Sequence, residues 1–265
     1  MKHGNITLEQ MRAVAASFRI EGSPVEVCPH GSGHINDTYA ATFETASART
    51  RYVFQRINNE IFKDVDNLMS NIARVTEHLQ RKIGGATDKD AGRRVLSLIP
   101  TKSGAAFVRT PAGEYWRAYR FIDGASTFDV CAGPDQACEA ARAFGLFQEM
   151  LIDLPGGRLA ETIPFFHHTP RRFQALEKAA AEDKAGRRSR VTAELDFCLA
   201  RREMTGRIVD LIARGAIPER ITHNDTKLNN VMIDDRTQRA LCVIDLDTVM
   251  PGSILYDFGD MVRTF

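Results

Sequence analysis

Residues 221–247 constrain this chain more than any other stretch: Ile221-Thr222-His223-Asn224-Asp225-Thr226-Lys227-Leu228-Asn229-Asn230-Val231-Met232-Ile233, a polar turn, then Val243-Ile244-Asp245-Leu246-Asp247. Residues 230–233 and 240–245 are short apolar runs around the polar segment 234–239, the pattern of an antiparallel hairpin. Folding 234 onto 241 sets Asn230 opposite Asp245, so an amide oxygen and a carboxylate meet at the open end. If the second strand continues, Leu241, Val243, Asp245 and Asp247 share a face, because strand side chains alternate. Magnesium takes hard oxygen ligands, one or two carboxylates among them, and completes its shell with substrate phosphates. Asn230 and Asp245 are therefore candidate magnesium ligands, with Asp247 a second possible carboxylate. Asp225 precedes the first strand and is the candidate base for an attacking hydroxyl. Lys227 is placed to neutralise a transferred phosphate. The whole set fits H-x-D-x-x-x-x-N with His223, and suits phosphoryl transfer from ATP, where catalysis is mostly positioning and electrostatics. Against it stands the plain alternative that Asp225 and Asn230 cap turns, as Asp and Asn often do.

Upstream, the segment 30–37 carries two glycines between strand-like runs at 25–29 and 38–45. Glycines let backbone N–H groups approach phosphates closely. A strand, glycine loop, strand order suits a kinase-type cover over ATP better than a dinucleotide fold, which needs a helix next. Gly31, Ser32, Gly33, His34 and Asn36 are the candidate nucleotide-loop residues; an ordinary hairpin turn explains the glycines equally simply. In the predicted strand 51–57, Tyr52, Phe54 and Arg56 alternate onto one face. Arg56 is the candidate phosphate-facing cation, where protein kinases use a lysine.

The remaining periodicities complete an architecture. Residues 7–18 read as a helix capped by Thr7, and 65–83 as a helix with Val65, Leu68, Met69, Ile72, Thr76 and Leu79 buried. Residues 94–100, 104–110 and 115–122 read as strands. Glu77 lies off the buried stripe and reads as a solvated glutamate. The segment 122–126 reads as an interlobe linker, and the backbone of Arg120, Phe121 and Ile122 as a candidate adenine edge. Helices follow at 136–151, 170–184 and 191–214. The expectation is an α+β, two-lobed fold: residues 1–122 an N-terminal antiparallel-sheet lobe for nucleotide, residues 123–265 a helical lobe carrying the catalytic hairpin.

The 265 residues allow one large domain or two lobes, and 43% apolar with 26% charged residues is an ordinary globular balance. A net charge of +1 gives no argument for a nucleic-acid or membrane partner. Five cysteines without a C-x-x-C pair predict free, mostly buried thiols in a reducing cytoplasm. No apolar run approaches the roughly 18 residues of a transmembrane helix. The oligomeric state is open.

These residues also carry a resemblance. HNDTKLNNVMID and CVIDLDTVMPG resemble the catalytic and metal segments of the aminoglycoside phosphotransferase/choline kinase superfamily, a branch of the protein-kinase-like fold. Longer strings (HGSGHINDTYAAT, YVFQRINNEIF, NIARVTEHL, WRAYRFIDG) resemble the N-acetylhexosamine 1-kinases within it. The resemblance implies ATP- and magnesium-dependent phosphorylation of the anomeric hydroxyl of N-acetylglucosamine or N-acetylgalactosamine, a small sugar acceptor. It implies Asp225 as base, Asn230 and Asp245 as magnesium ligands, Arg56 as the strand cation, residues 31–36 as the nucleotide loop, and Asp257 as a brace for the catalytic loop. Family members continue with further helices after Tyr256-Asp257-Phe258-Gly259-Asp260, so the resemblance also predicts an incomplete helical lobe. Two alternatives stay open: a kinase for choline, ethanolamine, homoserine or an aminoglycoside, and a non-catalytic nucleotide-binding remnant.

Overall fold

In a computed structural model of the chain, residues 6–31, 33, 35–84 and 90–265 are described. Helix α1 (Leu8–Ala15) opens with a capping box, Thr7 accepting from Gln10 N and Gln10 accepting from Thr7 N. The helix ends three residues before the predicted 18, because Phe18 leaves it to bridge Thr101. Strands β1 (Ser23–Pro29), β2 (Asp37–Glu44) and β3 (Arg49–Ile57) form a meander. Helix α2 (Val65–Ile83) spans the predicted residues and is capped by Asp64. Then come β4 (Val108–Arg109) and β5 (Tyr115–Arg120). These five strands form one antiparallel sheet in the order β1-β2-β3-β5-β4.

The predicted strand 94–100 is a correction. It runs beside β5 through Ile99 N to Ala118 O and Arg120 N to Ser97 O, but no ladder forms. The edge of β5 is shared: β4 takes Trp116 and Tyr115, so each neighbour pairs over only a residue or two.

The sheet has two faces because strand side chains alternate. Tyr52, Phe54, Trp116 and Ala118 pack with α1 in one core. Val53, Ile57, Tyr115 and Tyr119 face the other way, onto α2 and the second half of the chain. This second core is where Phe147, Leu151, Leu246 and Val249 meet the sheet side.

The segment read as a linker is a strand, β6 (Ala125–Ser126), stitched to the hairpin that carries Asn230 at its mouth. Helices α3 (Pro134–Met150) and α4 (Thr169–Glu182) lie near their predicted positions. The single predicted helix 191–214 is another correction: it breaks into α5 (Thr192–Leu199), a 3-10 turn and α6 (Arg207–Ala213). Gly206 stands at the break, where a helix interior disfavours glycine, and only Leu195 of these helices is buried. Little packing opposes the break. Strand β7 (Arg220–Thr222) leads into the loop 223–230, β8 (Val231–Asp234) and β9 (Ala240–Val243) form the hairpin, and β10 (Met250–Gly252) returns to pair with β7. Helix α7 (Ile254–Thr264) closes the element order. No helix among the described residues is long and apolar enough to cross a membrane. All five cysteines are free, but only Cys242 is buried; Cys28 and Cys138 are exposed, against the expectation of mostly buried thiols.

Candidate active site

Hydrogen bonds unite the catalytic loop and the hairpin. The hairpin pairs Val231 with Val243 and Met232 with Cys242, so Asn230 falls opposite Ile244, one residue from the predicted register. Ile244 N donates to Asn230 O at 2.9 Å. Asp245 follows directly in the left-handed region (φ 59°, ψ 61°), and the strand ends there. A non-glycine residue held in that region is strained, and such residues cluster at functional sites. The expected shared face of Leu241, Val243, Asp245 and Asp247 is thereby corrected: Leu246–Thr248 is a 3-10 turn and Asp247 points elsewhere.

Asn230 is buried, and its Nδ2 donates to Asp225 O at 2.7 Å and to Asp225 Oδ2 at 3.0 Å. With the amide nitrogen committed to Asp225, its Oδ1 is left as an acceptor. Lys227 Nζ lies 3.0 Å from the same Asp225 oxygen. Asp245 accepts no hydrogen bond among the described residues. The residue is exposed as a whole, yet the protein packed around its carboxylate, and then the Asp247 carboxylate, push its pKa up to about 6. An amide oxygen and an unsatisfied carboxylate form the sparse, hard-oxygen donor set magnesium uses when phosphates supply the rest. No group of three or more His, Cys, Asp or Glu able to hold a metal occurs among the described residues.

Asp257, at the start of α7, braces the loop from beneath. Fully buried, it accepts from His223 N (2.9 Å), Asn224 N (2.7 Å) and Gln148 Nε2 (2.5 Å), while Thr226 Oγ1 donates to its carbonyl (2.7 Å). A carboxylate receiving two backbone amides fixes their orientation. Asn224 also sits at a positive φ (66°), its side chain bonded to Thr222 O and Thr248 O. His223 is wholly buried against Phe144 and Phe147. Its Nε2 faces the Ile244 carbonyl at 2.9 Å and therefore carries the proton.

On the nucleotide side, Gly31 adopts φ +77°, which favours glycine, and a side chain at Gly31 or Gly33 would meet open space. Ser32 and His34 lie outside the described residues. Asn36 donates to Asp247 Oδ2 at 2.5 Å, tying the glycine loop to the turn that follows Asp245. Of the proposed adenine edge, Arg120 N and Phe121 N are already bonded to Ser97 O and Arg51 O; among these three amides, only that of Ile122 has no backbone partner within the described residues. Phe121 is covered by His30 and by the Arg51 guanidinium, 3.8 Å above its ring.

Arg56 is a correction. It shares its face with Tyr52 and Phe54, as predicted, but that face packs on α1. There it pairs with Asp37 (2.7 Å) and Glu114 (2.5 Å) beside Trp116. The residue of β3 turned the other way is Gln55, bonded to Arg117. Arg117 of β5 is the buried cation, 2.5 Å from Asp247. Sequence reading missed it. The available signal was Tyr115-Trp116-Arg117-Ala118-Tyr119, which sets an arginine on the same strand face as two tyrosines. Glu77 is exposed, a solvated glutamate as read.

Beside the loop, a pocket is lined by Phe165, Phe166, His167, Asn224, Pro251 and Tyr256, among others. His167 stacks on Tyr256 (4.7 Å between centroids) and its Nε2 lies 3.1 Å from Asn224 O. At its edge Arg158 pairs with both Glu161 and Glu219.

A model of the APH phosphotransferase enzyme family matches residues 26–265. Among solved structures, a spectinomycin phosphotransferase with ADP and spectinomycin bound superposes with a TM-score of 0.54 at 14% identity, over 95% of this chain and 72% of that one. A choline kinase from Cryptosporidium parvum gives 0.54 at 17% identity, covering 97% of this chain and 68% of that one. A Plasmodium vivax ethanolamine kinase gives 0.54 at 15%, covering 89% and 61%. At these identities the likeness is one of fold.

Proposed function

The chain belongs to the APH family of phosphotransferase enzymes, and from that premise we propose that it transfers the γ-phosphoryl group of ATP to the anomeric hydroxyl of an N-acetylhexosamine. The observation that carries the chemistry is the single hydrogen-bonded unit formed by Asp225, Asn230 and Ile244, which holds a candidate base and the metal turn together.

In this reading the acceptor oxygen forms a bond to the γ-phosphorus as the bond to the β,γ-bridging oxygen breaks, and ADP leaves. Asp225 orients the hydroxyl and takes its proton. Lys227, beside Asp225, meets the incoming negative charge. Asn230 Oδ1 and the Asp245 carboxylate would hold magnesium, which neutralises phosphate charge when bound. Gly31 and Gly33 offer backbone to the phosphates.

The acceptor assignment draws support from two sides. The residue strings at 30–42, 52–62 and 116–124 resemble those of N-acetylhexosamine 1-kinases. The pocket beside Asn224 also favours a neutral acceptor. Glu161 and Glu219, the acidic residues lining it, are both paired with Arg158, and its walls are aromatic. A cationic acceptor needs a carboxylate free to pair with it.

ADP release should be followed with Mg·ATP and a panel of N-acetylglucosamine, N-acetylgalactosamine, choline, ethanolamine, homoserine and an aminoglycoside. Turnover with an N-acetylhexosamine and a 1-phosphate product is the expected outcome. Turnover with an amine alone overturns the acceptor assignment and keeps the phosphotransfer. ATP binding with no acceptor phosphorylated favours a non-catalytic role.

A further inference from the structure

The buried cation of this cleft is carried by an unexpected strand. In protein kinases a lysine on the third strand pairs with a glutamate on the following helix. Here β3 turns the neutral Gln55 inward, while α2 turns in Met69 and leaves Glu77 in solvent. The charge comes from Arg117 on β5, only 1% exposed. A buried guanidinium needs a compensating charge. It finds Asp247 at 2.5 Å, with Gln55 Oε1 accepting from Nε at 2.9 Å and Met69 Sδ 3.8 Å from Nη1.

Asp247 lies two residues after Asp245, in the same turn, and is itself nearly inaccessible. Thr162 Oγ1 donates to its carbonyl at 2.7 Å, so its backbone is fixed as well. Its second carboxylate oxygen receives Asn36 Nδ2 at 2.5 Å, across 211 residues of sequence. Asn36 Oδ1 in turn accepts from Asn58 N at 2.9 Å. The amide of Asn36 is thus used at both ends, and it points at the metal turn.

We propose that Asn36 and Arg117 are positioning residues that act through Asp247, so that the glycine loop and the metal turn take up magnesium and nucleotide as a coupled pair. The proposal rests on the phosphotransfer reading above. Two sites that share one carboxylate are thermodynamically linked, and linkage is reciprocal: if the loop position sets the metal turn, magnesium must alter nucleotide affinity through the same contact.

The test is calorimetric titration of a non-hydrolysable ATP analogue, with and without magnesium, into the wild type, Asn36→Ala, Asp247→Asn and the double variant. Thermal melting of each is measured in parallel. Asn36→Ala should weaken binding about tenfold with magnesium, the scale of one hydrogen bond to a charged group, and by less than about twofold without it. The double variant should bind no worse than its weaker parent, which is the signature of a shared contact. The melting temperature of Asn36→Ala should stay close to wild type. Equal losses with and without magnesium, or single effects that simply add, overturn the coupling while leaving phosphotransfer intact. Absence of analogue binding by the wild type overturns both. Arg117→Met alone strands the Asp247 charge and tests folding as much as coupling. The compensated pair Arg117→Met with Asp247→Leu is therefore measured beside it. It should fold and should lose the magnesium-dependent part of the affinity. Retention of that part also overturns the proposal.

Discussion

At the scale of single residues, the site is decided by which partner each polar atom has already taken. Asp225 is bonded through one oxygen to Asn230 Nδ2 and lies against Lys227. Asp225→Asn is expected to lower kcat by about 10²- to 10⁴-fold, the usual worth of a positioned general base, with analogue affinity changed by less than about threefold. A coupled ADP assay and calorimetry check this, and surviving turnover removes Asp225 as base. Arg56 makes the opposite case. Its guanidinium is taken by Asp37 and Glu114 on the α1 side of the sheet. Arg56→Ala should therefore leave the KM for ATP within about twofold while lowering stability by on the order of 1 kcal/mol. Alternation along β3 was legible in the sequence. Which face of the strand met the cleft was not, because that depends on where α1 and α2 pack.

At the scale of elements, the catalytic loop is held by a strand pair and a hairpin turn, each with a weak point. A Cβ added at Gly252 of β10 would lie 2.4 Å from Thr222 Oγ1 and 3.0 Å from Asn224 Oδ1. Gly252→Ala must push apart β7 and the side chain that holds the loop. Lower activity and a lower melting temperature are both expected. The hairpin turn hangs on Asp234, which accepts from Thr237 N (2.8 Å) and Thr237 Oγ1 (2.9 Å) and pairs with Arg93 (3.0 Å). The Thr237 backbone and side-chain hydrogen bonds, then Arg93, hold its pKa down to about 2. A folded value below the ordinary one near 4 means the charged form is favoured by folding. Its contribution is therefore full above about pH 4 and is lost as the pH falls from 4 towards 2. Asp234→Asn should flatten that part of the acid limb in melting curves recorded from pH 6 to 2; an unchanged slope would remove the clamp. The turn's position could be read from its polar run. Its register could not: the turn closes with Ile233 opposite Ala240, and the slip at Met232/Ile233 then sets Asn230 opposite Ile244 rather than Asp245.

At the scale of the whole molecule, the sheet side and the catalytic side meet along α2. Asn71, 2% exposed, donates to Ala160 O (2.8 Å) and Val249 O (3.2 Å) and accepts from Ala160 N (3.1 Å). Asn71→Leu strands these backbone groups in the core between the two sides. A loss of about 1–3 kcal/mol per unsatisfied group is the expected scale, read as a lower melting temperature. The sequence by itself determined the local pieces: the helix at 65–83, the β-rich first part, the hairpin after residue 230, and the presence of Asp225, Asn230 and Asp245 around it. These depend on periodicity, turn chemistry and short-range spacing, which neighbouring residues carry among themselves. Tertiary structure alone decided that Arg117 rather than Arg56 is the cation paired with Asp247, that Asp247 is also bound to Asn36, and that residues 125–126 join the hairpin as a strand. Each of those outcomes is a choice among partners distant in the chain. Burial fixes such choices, because a charge or amide removed from water must be satisfied by whatever group the packing brings to it.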